Sequence, residues 1–151
     1  MIKCFLTSNF HLIITCSFLF SNICESQEFS EESLFGNWQI KPHPIHKIIY
    51  KEIYFDNGFI YYYEENLGYM PKSKFFLDGD VLFHSQLGSE FQELGKIKLI
   101  NENCFMISKE NTSLFYQRVT GKNLLEDLIN QEITQNEFSL SFFRRKQAMM
   151  K

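Results

Sequence analysis

Between residues 36 and 119, short runs rich in Phe, Tyr, Ile and Leu are broken at close intervals by turn-forming residues. This punctuation limits the fold more than any other feature of the chain. Asp56-Asn57-Gly58 separates residues 52–55 from 59–63. Asp78-Gly79 separates 74–77 from 80–83, and Asn101-Glu102-Asn103 separates 96–100 from 104–108. Asn-Gly and Asp-Gly pairs tolerate the positive φ that tight antiparallel hairpins require. The pattern predicts eight strands, at about 36–41, 46–55, 59–65, 73–77, 80–85, 92–100, 103–109 and 113–119. Short, β-rich strands joined by hairpins predict an all-β, closed antiparallel up-and-down barrel rather than a parallel sheet.

The chain has 151 residues, enough for one domain, and its 17 Phe and 7 Tyr supply ample apolar area for a core, so a largely disordered chain is excluded. A net charge of −3 and a pI near 5.8 argue against a nucleic-acid partner. Arg144, Arg145, Lys146 and Lys151 concentrate positive charge in the C-terminal tail, which reads as a solvated segment.

Which side chains face the barrel interior depends on one turn. If Asp56-Asn57-Gly58 is a three-residue turn, Phe55 pairs with Phe59, and Ile53, Phe55, Phe59, Tyr61 and Tyr63 point inward. If only Asn57-Gly58 turns, Phe55 pairs with Ile60 and Tyr62 comes inward instead; one residue of register exchanges the two faces. The three-residue turn is preferred. With it, a hollow barrel would be lined by Ile53, Phe55, Tyr61, Phe75, Leu77 and Leu82, with Tyr61 or His84 giving a polar contact.

Gly36-x-Trp38 on the first strand and Tyr116-x-Arg118 on the last resemble the lipocalin-like (calycin) barrels. In those proteins the arginine lies over the indole and closes one end. The aromatic–Asp-Asn-Gly hairpin, Leu77-Asp78-Gly79-Asp80-x-Leu82 and Gly95-Lys96-Ile97 come between them in the order seen in small bacterial lipocalin-like domains. The resemblance covers residues 36–118. It implies a secreted or envelope barrel, in some cases a carrier of small apolar molecules, with Trp38 and Arg118 as barrel-closing residues. The short Pro42-His43-Pro44 connection departs from the long lid loop of large lipocalins, and the C-terminal segment is extra. Pairing Trp38 with Arg118 also has its own physical basis: a guanidinium over an indole contributes roughly 0.5–2 kcal/mol, and joining first strand to last removes two open edges.

The N-terminus reads as a leader. Lys3 precedes an apolar-rich run from Phe10 to Phe20, too short and too interrupted for a membrane span of about 20 apolar residues. Residues 1–26 are assigned to a signal peptide with Gln27 as the mature N-terminus. Lipidation at Cys24 and a retained anchor are the alternatives. The expected location is secreted, periplasmic or cell envelope, with no stable membrane span once the leader is removed. Cys4, Cys16 and Cys24 fall in the leader, so the mature chain keeps Cys104 alone, expected as a buried, inert thiol.

Candidate chemistry is sparse. His43 and His46 flank Pro44-Ile45 without further ligands at metal-site spacing, and Asp78 and Asp80 flank a turn glycine. No phosphate loop, nucleophile elbow or triad is present, so neither an enzyme nor a cofactor or metal is expected. Asn111-Thr112-Ser113 matches a glycosylation acceptor, relevant only in a eukaryotic secretory pathway.

Ser30-Glu31-Glu32-Ser33 reads as a capped helical turn before the barrel, which is assigned to residues 27–120. Residues 121–151 are assigned to a helix and basic tail. Asn123 is a candidate cap, and Leu124, Leu125, Leu128 and Ile129 form a stripe expected to buttress the barrel exterior, so that deleting everything after Thr120 should cost roughly a few kcal/mol at most. Residues 138–142 alternate like a further strand or extended arm. The expected function is binding of a small apolar ligand in the barrel. The alternative is a structural or protein-interaction module with a filled barrel, and no protein partner is identified.

Overall fold

A computed structural model describes residues 30–42, 49–86 and 88–150. Residues 1–26, assigned above to a signal peptide, and His43 and His46 lie outside these. Eight strands form a closed, all-antiparallel up-and-down barrel: β1 (Gly36–Ile40), β2 (Lys51–Asp56), β3 (Phe59–Glu64), β4 (Gly68–Asp78), β5 (Val81–Gln86), β6 (Gln92–Asn101), β7 (Cys104–Lys109) and β8 (Thr112–Arg118). The expected fold class is observed. β4 starts earlier than the sequence pattern predicts. It runs through Pro71, which is accommodated where the β3–β4 register shifts between Ile60 and Tyr62.

The register corrects the preferred turn. Phe55 pairs with Ile60 and Asp56 with Phe59, so Asn57-Gly58 alone makes the turn. Asn57 has φ 42° and Gly58 φ 78°, and positive φ at both central residues matches the right-handed twist of a two-residue hairpin. The inner face of β3 therefore carries Ile60 and Tyr62. Phe59, Tyr61 and Tyr63 point outward, contrary to expectation.

One end of the barrel holds the β2–β3, β4–β5 and β6–β7 hairpins and is closed by the N-terminal segment. A 3-10 turn (Glu31–Leu34) lies across it, as Ser30-Glu31-Glu32-Ser33 predicts, although the Ser30 side chain makes no capping bond. The turn is fixed by Trp38 Nε1 donating to the Leu34 carbonyl at 2.6 Å, and by the Leu77 amide donating to Glu31 at 3.0 Å. Inside, the fully buried Trp38 meets Phe105 edge-on at 4.6 Å, Phe55 meets Phe75 at 5.2 Å, and Phe105 stacks on Tyr116 at 4.9 Å. This half of the barrel is filled by aromatic rings.

Beyond the barrel lie α1 (Leu125–Ile129) and α2 (Gln135–Met149). Residues 138–142 are helical, not a strand or extended arm; the Thr134–Glu137 capping box starts α2 and aligns Phe138 and Phe142 on one face. Asn123 takes a positive φ of 56° before α1 and is not its cap; Leu124 occupies that position, and its amide donates to Asp127. Phe138 and Phe142 are fully buried against the outward-facing Tyr63, at 4.7 and 4.8 Å, and Phe142 meets Tyr50 at 4.7 Å. Strand β2 is thus buried on both faces, with Ile53 and Phe55 inside and Glu52 and Tyr54 under the helices. Burial and then Glu126 push the Tyr54 hydroxyl up to about 12. Glu52, 1% exposed, accepts from Arg145 Nε at 2.7 Å, Arg145 Nη2 at 2.9 Å and the Tyr50 hydroxyl at 2.9 Å. Tyr63 hydrogen-bonds Ser139, and Lys146 pairs with Glu65. Cys104 is half-buried on the outer face of β7, not enclosed as expected. Among the described residues no helix is long and apolar enough to cross a membrane.

Candidate functional site

Alternation along the observed register decides which side chains share the barrel interior. Ile53 and Phe55 on β2, Phe75 and Leu77 on β4, and Leu82 and His84 on β5 all face inward, with Phe75 opposite His84 and Leu77 opposite Leu82. Tyr61 does not join them: it stands outside, 5.8 Å from Tyr54 and 6.5 Å from Phe59. Trp38 and Arg118 are paired across β1 and β8, and the guanidinium carbon lies 4.1 Å from the indole centroid. Arg118 Nη1 donates to the Phe35 carbonyl at 2.7 Å, Nη2 to Ser33 at 3.2 Å and Nε to Glu102 at 3.0 Å. Gly36 makes room for it. A Cβ there would sit 2.8 Å from Nη1, and φ is 111°, so the glycine of Gly36-x-Trp38 is set by the arginine's approach.

Two interior residues escaped the sequence reading. Tyr62 takes the place expected for Tyr61, and Ser73 pairs with Ile60 on one side and Gln86 on the other. The alternative two-residue turn was the signal for Tyr62; a serine at a strand start carries none. With His84 they make up the polar part of the inner face on three successive strands, β3, β4 and β5. The Tyr62 hydroxyl, Ser73 Oγ and His84 Nδ1 are buried and have no hydrogen-bond partner among the described residues. Buried polar atoms are nearly always paired, and each one left alone costs about 1–3 kcal/mol.

All three groups are uncharged near neutral pH. Burial raises the Tyr62 hydroxyl far above the ordinary phenol range. Burial first, and then Lys109, lowers His84. Tyr116, also inside, is raised by burial and next by Tyr62. The arrangement offers two hydroxyls and one imidazole nitrogen beside an apolar wall, suited to holding a polar group on an otherwise apolar molecule. Nothing about it supplies a nucleophile with an adjacent base, and among the described residues no three His, Cys, Asp or Glu side chains converge.

A concavity of about 650 Å³ lies outside the barrel between the β1–β8 face and the end of α2. It is lined by Gln39, Lys41, Gln117, Arg145 and Met149 among others. It opens to solvent, and two of its polar groups are already engaged: Arg145 by Glu52, and Gln39 by the Tyr50 hydroxyl at 2.7 Å. The interior group is the better candidate because its hydrogen-bonding capacity is unspent. No family model matches the chain, and no curated protein or solved structure matches it significantly.

Proposed function

We propose that the barrel binds a small, mainly apolar molecule bearing one uncharged polar group, held against Tyr62, Ser73 and His84. The observation that carries this reading is the set of three buried, unpartnered polar atoms on neighbouring strands. Their desolvation lowers stability unless a ligand completes their hydrogen bonds. Ile53, Phe55, Phe75, Leu77 and Leu82 would meet the apolar part. The leader-like N-terminus supports an exported, lipocalin-like protein of the periplasm or cell envelope, cleaved before Gln27. Binding, not catalysis, is the role proposed for the site.

A second reading, a structural or protein-interaction module, draws support from the aromatic filling around Trp38, Phe55, Phe105 and Tyr116. Titration of long-chain alcohols, fatty acids, retinoids and aromatic probes, followed by the fluorescence of the single tryptophan, separates the two. Saturable binding that weakens about tenfold in Tyr62→Phe or Ser73→Ala is expected, the cost of about one hydrogen bond. An absence of saturable binding across the panel would leave the filled module.

A further inference from the structure

The inner face of β2 holds one more side chain, which the polar group does not use. Ile53 and Phe55 point into the barrel and Glu52 and Tyr54 out of it, so alternation places Lys51 inward, at the end opposite Arg118. Lys51 pairs with Glu64, and Ile53 pairs with Tyr62, so Lys51 is the diagonal neighbour of Tyr62 on the inner face, about 7–8 Å away between backbones and within reach of a long side chain. No ion pair of Lys51 occurs among the described residues.

We propose that Lys51 captures an apolar aldehyde as an imine inside the barrel, with Glu64 as its proton-transfer partner. This rests on the ligand-binding reading above and specifies the chemical class of the ligand. The amine lone pair attacks the aldehyde carbon and the carbonyl π bond breaks onto oxygen. Glu64 passes two protons in turn from nitrogen to that oxygen: the first gives the hydroxyl, and the second lets it leave as water as the C–O bond breaks and the nitrogen lone pair forms C=N. One aldehyde and one amine give one imine and one water, with no change in oxidation state.

Two features favour an aldehyde over an acid. A carboxylate ligand near Lys51 would also meet Glu64, directly opposite, and the like charges would repel. Burial, opposed by Glu64, lowers the proton affinity of the Lys51 amine and so favours the uncharged, nucleophilic form. The Tyr62 hydroxyl, on the diagonal neighbour of Lys51, would hydrogen-bond the aldehyde oxygen until it leaves, and the apolar wall would hold the chain.

The test uses the full mature chain, decanal as the reactive probe, decanol as its unreactive counterpart and decanoate as the acid. After one equivalent of decanal and mild cyanoborohydride reduction, peptide mapping is expected to place the alkyl group on Lys51 at least about tenfold above exposed lysines such as Lys96 and Lys98. Lys51→Arg is expected to lose that adduct and still bind decanol. Labelling spread evenly over surface lysines, with decanol still bound, would overturn the imine and leave the binding reading standing. Failure of both probes would remove both. Decanoate binding much tighter than decanol, and lost in Lys51→Met, would make Lys51 a counter-ion and overturn the proposal. Glu64→Gln is expected to slow adduct formation without abolishing decanol binding; an unchanged rate would remove Glu64 from the step.

Discussion

Arg118 joins three segments that are distant in sequence, through the carbonyls of Ser33, Phe35 and Glu102, while covering Trp38. Arg118→Ala would remove the cation–π contact and leave those carbonyls unpaired, a loss of about 2–4 kcal/mol in urea unfolding. Arg118→Lys is expected to recover only part of this, since an ammonium cannot span the same fork. His84 gives a pH signature of opposite origin. Its proton affinity is lower in the barrel than the ordinary value of 6.5, so below that pH the unfolded chain binds the extra proton. Stability should therefore fall as pH drops through about 6.5. The His84→Gln variant should show a flatter profile over that window, measured as the urea midpoint; an equal slope in both proteins would show that another group titrates there.

At the scale of elements, α2 has a larger role than an amphipathic stripe against a finished barrel. Leu125, Phe138 and Phe142 are fully buried, at about 2 kcal/mol each. Removing Arg145 would strand the buried Glu52 carboxylate at roughly 3–5 kcal/mol. Together these approach the whole stability of an ordinary domain, about 5–15 kcal/mol. A chain ending at Thr120 is accordingly expected to lose cooperative unfolding, and a sharp urea transition in the truncated chain would refute this. If the Glu52 charge is the main cause, Glu52→Leu in the truncated chain should restore part of the cooperativity.

Across the whole molecule the barrel is asymmetric in content. Aromatic rings fill the end closed by Trp38, while unpartnered polar atoms lie on β3, β4 and β5. A site that lowers stability for the sake of binding should become more stable when that binding capacity is removed. Tyr62→Phe and Ser73→Ala are each expected to stabilise the ligand-free protein by about 1 kcal/mol while weakening ligand binding. If both variants are destabilised, the hydroxyls are already satisfied and the case for a polar subsite fails.

The barrel and its strand order were legible from local signals, and the Trp38–Arg118 closure from the resemblance carried by Gly36-x-Trp38 and Tyr116-x-Arg118. Asn57-Gly58 and Asp78-Gly79 encode turns in their own backbone preferences, whereas the reason for Gly36, room for the guanidinium, came only with the structure. The interior was not determined in this way. In Tyr61-Tyr62-Tyr63 both faces are equally apolar, so periodicity could not choose between Tyr61 and Tyr62; pairing of Phe55 with Ile60 made the choice. The same ambiguity concealed α2: Phe138 and Phe142 fit an alternating strand as well as one face of a helix. Only the outward Tyr50 and Tyr63, and a Glu52 carboxylate needing Arg145, give that helix a surface on which to fold. Turn chemistry is written residue by residue, but which face of an aromatic strand is the inside depends on partners far away in the chain.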